Sequence, residues 1–392
     1  MNPASPTVEV RDSIAAIPAH EWNLLAGDDP LLRHEFLHAL HETGCATAET
    51  GWAPHYLVLR DAGVFAGAMP LYLKSHSYGE YVFDWAWADA YQRHGLAYYP
   101  KLLSAVPFSP VSGKRMLADS PAGRAALADA ALQLARETGV SSLHYLYPTT
   151  TQAHEIQARG LALRQGVQFH WHNDGYPDFD AFLATFNHNK RKKIKQERRR
   201  VRDAGITFEW GPGPAITDAL WIFFNRCYRE TYRQHHSTPS LTLDFFRALG
   251  RGMPENLALV IAMREGHPIA ASLNIHNGKR LCGRYWGALE HHPSLHFETC
   301  YYQVIEYCIA NGIATFEGGA QGEHKIARGL MPVQTHSAHW LAHPQFAAAI
   351  EEFLQRETRG IAVYLDELNE RTPFKEIPSP RSHPDTPADP AA

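Results

Sequence analysis

The order of secondary-structure signals runs twice along this chain, and that recurrence constrains the fold more than any single motif. In the first passage, residues 30–43 have helical character ended by Gly44. Tyr56-Leu-Val-Leu-Arg and Val64-Phe-Ala-Gly-Ala-Met-Pro-Leu-Tyr-Leu then read as a strand pair turning at Asp61-Ala-Gly63. Residues 121–138 predict an alanine-rich helix stopped by Gly139, Ser142-Leu-His-Tyr-Leu-Tyr a strand, and a further helix and strand reach Trp171. The second passage has strand Ile206-Thr-Phe-Glu-Trp, helices over 221–232 and from Leu241, a strand over 257–263, and a hairpin of 269–276 with 279–287. Asn277-Gly278 supplies a type I′ turn signal to that hairpin. After Ser294, Phe297, Cys300, Tyr301, Val304, Ile305, Cys308 and Ile309 recur at helical spacing, Gly312 ends the helix, and strand 313–316 follows.

An α/β order repeated at low similarity predicts two related lobes side by side rather than a solenoid. The boundaries expected are an N-terminal lobe over 1–177, a basic bridging helix over 178–205, a C-terminal lobe over 206–376 and a disordered tail over 377–392. In the bridge, Leu183, Phe186, Ile194 and Val201 form an apolar helical seam; the tail is too proline-rich and polar to fold alone.

A length of 392 residues with 45% hydrophobic and 20% charged content supports sizeable cores. The net charge of -4 excludes the general basic field of a duplex-DNA binder, so any anion site has to be local. Five cysteines without CxxC spacing argue against a disulfide framework or structural zinc. The polar opening and the lack of a long apolar run lead to the expectation of a cytoplasmic protein without a membrane span.

The chemistry concentrates in Ala314-Thr-Phe-Glu-Gly-Gly-Ala-Gln-Gly-Glu-His-Lys-Ile-Ala-Arg-Gly329. This run gives up side chains to glycine while keeping Glu317, Gln321, Glu323, His324, Lys325 and Arg328. Glycine lets backbone N–H groups approach a ligand; the competing explanation is a turn capping a solvated helix. In the bridge, residues 190–202 hold nine cations and one acid. Lys190, Arg191, Lys192, Lys193, Arg198 and Arg199 are therefore candidate phosphate contacts, against the alternative of an exposed solvated face. The aromatic segment Tyr81-Val-Phe-Asp-Trp-Ala-Trp-Ala-Asp-Ala-Tyr91 and the later Lys101 and Arg115 suggest a substrate-binding wall of Asp84, Trp85, Asp89, Tyr91, Lys101 and Arg115. His34-Glu-Phe-Leu-His38 matches HExxH, but no third ligand is marked out; a zinc hydrolase through His34, Glu35 and His38 is a minor alternative and no metal is expected. GxSxG and P-loop motifs are absent.

Phe83-Asp-Trp-Ala-Trp-Ala-Asp-Ala-Tyr91, Tyr99-Pro-Lys-Leu, Val106-Pro-Phe-Ser-Pro, the basic helix, Leu295-His-Phe-Glu-Thr-Cys-Tyr-Tyr and Glu317-to-Gly329 together resemble the FemAB-like group of N-acyltransferases. The resemblance implies an α/β fold of two tandem GNAT-like lobes. It also implies transfer of an acyl or aminoacyl group to an amine by direct attack, with no permanently bound cofactor. The donor co-substrate would be an aminoacyl-tRNA, an acyl carrier or acyl-CoA, and the partners an amine acceptor with a tRNA or carrier protein. Where GNAT enzymes carry the R/Q-x-x-G-x-G/A pyrophosphate loop, this chain reads Ala288-Leu-Glu-His-His-Pro-Ser-Leu-His-Phe, which argues against CoA in its usual pose. Within this scheme Glu317 or Glu323 takes a proton, Lys325, Arg328 and the N–H groups of Gly318 and Gly319 stabilise negative charge, and Tyr302 or Tyr285 protonates the leaving group. Gln321 and His324 complete the expected substrate contacts. A non-catalytic protein holding RNA or a phosphorylated carrier is the alternative.

Overall fold

The computed structural model describes residues 6–320 and 322–375, so Gln321 and the proline-rich tail lie outside the described residues. The helix Pro121–Thr138 illustrates how local signals set the elements. Ser120 Oγ accepts from the Gly123 amide at 3.0 Å, Pro121 occupies the first turn, and Gly139 closes the helix in the left-handed region at φ 66°. Its apolar face, Leu127, Ala128, Ala131 and Ala135, packs with Leu57, Leu59 and Leu143. In the second half the helix Asp218–Gln234 lies so close to the strand Arg280–Ala288 that a Cβ on Gly287 would stand 1.8 Å from the Cys227 carbonyl oxygen. Glycine is required there by space.

A small antiparallel sheet joins Thr7–Arg11, Tyr56–Asp61 and Val64–Met69. Everything else belongs to one sheet of eleven strands. From the first-half edge these are Trp52–Pro54, Tyr72–Lys74, Lys101–Ser104, Ser142–Leu146, Met331–Leu341, Ala162–His172, Thr315–Glu317, Arg280–Ala288, His267–His276, Leu257–Arg264 and Ile206–Pro212. The fold is α/β, and its two halves exchange strands. Met331–Leu341, late in the chain, inserts between the first-half strands Ser142–Leu146 and Ala162–His172, pairing Ala338 with Tyr145 on one side and Leu163 on the other. Ala162–His172 in turn pairs with Thr315–Glu317 of the second half. The chain boundaries expected at 177 and 206 therefore divide the sequence without dividing the sheet.

The bridge consists of two helices, Phe179–Ala184 and His188–Asp203, and the seam residues Leu183, Phe186, Ile194 and Val201 are all buried. Two local expectations need correction. Gly278 has φ 82°, but Asn277 is not left-handed, as a type I′ turn requires; instead Asn277 Oδ1 accepts from the Lys279 and Arg280 amides. The helix after Ser294 is broken by a π-helical turn, Glu298–Tyr302, between Leu295–Phe297 and Gln303–Ala310. No helix among the described residues is long and apolar enough to cross a membrane.

Candidate active site

Strands Arg280–Ala288 and Thr315–Glu317 run parallel through three pairs only, Arg280 with Thr315, Leu281 with Phe316 and Cys282 with Glu317. Beyond them the strands part. The gap is a cavity of about 100 Å³ floored by Ser272, Asn274 and Phe316 and walled by Arg284, Tyr285, His296, Cys300, Tyr301 and Gly318. Two irregularities shape it. A bulge between Leu273↔Tyr285 and Asn274↔Gly283 leaves Arg284 without an opposite residue, and the π-turn delivers Cys300 and Tyr301 to the wall. Both devices recur next to functional sites because they re-aim side chains.

Burial favours the neutral forms of the titratable groups here. Burial draws the His296 imidazole down to about 4, so it is neutral at pH 7. The Tyr301 hydroxyl and His324 Nε2 share a hydrogen bond of 3.1 Å, and burial lowers His324 too. Lys325 Nζ donates to the Gly319 carbonyl at 3.0 Å, with burial bringing the amine to about 8. Glycine is required at 318 by its packing on Leu330, since a Cβ there would meet Leu330 Cδ2 at 2.6 Å.

The sequence-predicted residues divide. Lys325, Gly318, Gly319, His324 and Tyr285 come together at the cavity or its rim, but the Gly318 amide, expected to stabilise negative charge, donates instead to the Phe169 carbonyl at 3.2 Å. Glu317 lies on the opposite side of its strand from Phe316. Its Oε1 meets Arg280 at 3.2 Å, Arg280 also bonds Asp29, and burial raises the Glu317 carboxyl. Glu323 is exposed and occupied by Tyr364 at 2.7 Å and Arg371 at 2.8 Å. Arg328 is buried against Glu197 of the bridge at 2.9 Å, lies 3.4 Å from the centre of the Phe297 ring, and donates to the His324 carbonyl. Tyr302 donates to the same Glu197. Arg328, Glu197 and Tyr302 thus form a knot that pins the glycine-rich elbow to the bridge, and Tyr301 rather than Tyr302 reaches the cavity.

The expected first-half wall does not form. Lys101 is fully buried between Asp84 and Glu80, and Tyr98 donates to Asp84 at 2.7 Å. Burial opposes the Asp84 charge, but Lys101 outweighs it and holds the carboxyl low, while burial dominates at Glu80 and raises it to about 7. Asp89 sits outside, paired with Arg93, and Trp85 is partly exposed. Tyr91 is core, packed on Tyr98 and Phe346. Arg115 is satisfied by the carbonyls of Val111, Lys114 and Leu146. The first half contributes through other residues. Tyr81 and Phe83 line a second cavity, about 270 Å³, together with Tyr147, Arg164 and Ala320 of the glycine-rich elbow. Tyr81, Phe108 and Tyr147 all have positive φ, at 63°, 56° and 55°. Bulky residues in this region cost about 1–3 kcal/mol each and cluster where function demands it. Tyr147 donates to the Tyr81 carbonyl and Arg284 to that of Phe108, which ties the strained residues to the second-half site. Residue spacing carries no mark of backbone strain and Arg284 falls in no motif; His296 and Tyr301 lie inside the block Leu295-to-Tyr302, but nothing in its spacing marks them as site residues rather than Tyr302.

On the bridge, Lys192, Lys193 and Arg199 are exposed, with Arg199 beside Asp203, and Lys190 and Arg191 are half-buried. Arg198 turns inward to Glu298 and Glu306 and stacks on Phe179, so it is not a free phosphate contact. In the HExxH segment His34 Nε2 bonds the Ile14 carbonyl and Glu35 is held by Arg33 and Asn23. Among the described residues no cluster of His, Cys, Asp or Glu is arranged to hold a metal.

Residues 13–376 match the FemAB-like family, described as peptidoglycan biosynthesis/recognition. Three solved structures share the architecture. FemX has a TM-score of 0.54 at 12% identity, covering 86% of this chain and 98% of its own. The C-terminal domain of a putative lysylphosphatidylglycerol synthetase from Agrobacterium fabrum has 0.53 at 10%, covering 86% and 96%. L-PGS from Bacillus licheniformis has 0.51 at 10%, covering 83% and 97%. At these identities the likeness speaks for the fold. No curated protein matches the sequence.

Proposed function

The chain belongs to the FemAB-like family, and we propose that it is an acyltransferase, joining an acyl or aminoacyl group to an amine in the gap between Arg280–Ala288 and Thr315–Glu317. The observation that carries this reading is the parting of the two strands over a cavity walled by His296 and Tyr301. Past Cys282 the edge of Arg280–Ala288 has no strand partner, so its amides are available to a carbonyl oxygen as negative charge develops on it. The acceptor nitrogen attacks the carbonyl carbon, the new C–N bond forms, and the C–O or C–S bond to the donor breaks. Neutral His296 accepts the proton that nitrogen must lose, and the Tyr301 hydroxyl, backed by His324, supplies one to the leaving oxygen or sulfur. Lys325, cationic below about pH 8, adds positive potential beside the elbow.

The family description directs the acceptor towards an amine of peptidoglycan or its precursors. For the donor, the exposed Lys192 and Lys193 on a bridge anchored to the elbow through Glu197–Arg328 favour a polyanion, an aminoacyl-tRNA or a carrier's phosphorylated arm.

Transfer to an amine acceptor, followed by mass spectrometry with aminoacyl-tRNA, acyl-carrier and acyl-CoA donors, tests the reading. His296→Ala is expected to lower kcat/KM by roughly 10²–10⁴-fold and Tyr301→Phe by a smaller factor, both in protein that remains folded by circular dichroism. Full turnover in both variants would place the chemistry elsewhere.

A further inference from the structure

Arg284 is set apart from the other inward-turned arginines near the site. Arg198, Arg280 and Arg328 each meet a carboxylate. Arg284 meets none among the described residues; its Nη2 donates to the Phe108 carbonyl at 2.7 Å, and its Nε is buried without an acceptor. The neighbouring Tyr285 hydroxyl is also buried and unpartnered. Both side chains line the 100 Å³ cavity. Three features hold the guanidinium there: the bulge that leaves Arg284 unopposed, the Tyr285 ring 5.2 Å from its carbon, and Phe108, kept at φ 56° with its carbonyl aimed at Nη2. An unpaired buried guanidinium edge beside a free hydroxyl is the complement of an oxyanion, since arginine's planar fork matches carboxylate and phosphate.

We propose that Arg284, assisted by the Tyr285 hydroxyl, is the receptor for an anionic oxygen group, a carboxylate or a phosphate, carried by a substrate of the transfer reaction. The assignment rests on transfer occurring in this same gap, and it restricts the substrates to those bearing an anion within a few bonds of the reacting centre. It also gives the strain at Phe108 a purpose, because that residue fixes one side of the guanidinium and leaves the other for the ligand.

Binding separates this proposal from the transfer reading because it needs no turnover. The full chain is titrated with N-acetylglycine, with neutral N-acetylglycinamide and with inorganic phosphate, followed by ligand-observed NMR and calorimetry. The expected result is that one of the two anions binds and the amide does not. Arg284→Gln should weaken the anion at least about tenfold, Arg284→Lys should recover part of that, and the tighter of the two anions identifies the group. Tyr285→Phe, which removes one hydroxyl and keeps the ring, should weaken it about threefold to tenfold and serves if Arg284→Gln fails to fold. Anion affinity lost in these variants, with no transfer by the wild type, would sink the transfer reading and uphold the receptor. Transfer in the wild type with anion affinity unchanged in both variants, or no binding of either anion at millimolar concentration, would overturn the receptor.

Discussion

Two acidic residues that touch the glycine-rich elbow or its contacts, Glu323 within it and Glu197 on the bridge, have opposite fates, and the difference is burial. Glu323 is exposed, and its contacts with Tyr364 and Arg371 are surface interactions worth about 0–1 kcal/mol. Glu323→Gln should therefore cost less than about 1 kcal/mol in urea unfolding and leave transfer intact; a large loss of transfer would restore Glu323 to the chemistry. Glu197 is buried and faces Arg328, itself 4% exposed. Glu197→Gln would leave a buried guanidinium uncompensated, a change that costs about 3–5 kcal/mol where measured. Unfolding at neutral pH should show a loss of that order, and a loss under 1 kcal/mol would mean that the knot does not hold the elbow. Charge and spacing singled out both Glu323 and Arg328 in the sequence. What spacing cannot express is that a single acid among nine cations, Glu197, sits on the buried face of its helix and captures Arg328.

At the level of elements, the signals that are purely local were legible. Ser120, Pro121 and Gly139 bound a helix because each satisfies or terminates backbone groups within a few residues. The apolar seam of the bridge likewise reports one buried face. The π-turn at Glu298–Tyr302 and the bulge at Arg284 were not legible, since each is an insertion tolerated by packing across the sheet rather than encoded in periodicity. The one-residue difference between Tyr302 and Tyr301 follows from this. Glycine also carries different meanings that only neighbours disclose. Gly287→Ala puts a methyl 1.8 Å from the Cys227 carbonyl, so helix Asp218–Gln234 has to move, at a cost at or above the ~1–3 kcal/mol of ordinary overpacking. Gly278→Ala meets open space and pays only the left-handed backbone, about 1 kcal/mol. Chemical denaturation of the two variants should rank them in that order, and equal losses would contradict the close approach.

Across the whole molecule, the repeated α/β order was legible but the strand exchange was not, because pairing between Ala162–His172 and Met331–Leu341 joins segments with no common local signal. The exchange makes the halves interdependent. A fragment ending at residue 205 keeps Ser142–Leu146 and Ala162–His172 but loses the strand between them, so it should show no cooperative thermal transition, while the full chain unfolds in one. A fragment that melts cooperatively would show the exchange to be dispensable.

The packing around this sheet also buries histidines, and that sets the acid limit of the fold. Burial holds His41 at about 4, His144 at about 3, His170 at about 4 and His296 at about 4, and keeps His339 well below the ordinary imidazole value. His144 and His339 share a bond of 2.7 Å between their Nδ1 atoms, which needs one bare nitrogen as acceptor. In the unfolded chain these five groups take up protons near pH 6.5. Between pH 6.5 and 5 the unfolded state therefore binds up to five protons that the folded state refuses, and stability falls as pH falls. Glu80, raised to about 7, and Glu298 and Glu317, also raised by burial, act with the opposite sign, because the folded state holds protons there that the unfolded state has released. Five against at most three leaves a net of about two protons, or ~2.7 kcal/mol per pH unit at 1.36 kcal/mol per proton. Urea unfolding at pH 5 and 6.5 should show the protein several kcal/mol weaker at pH 5; equal or greater stability at pH 5 would mean that solvent reaches the His144–His339 pair and its neighbours in the folded state.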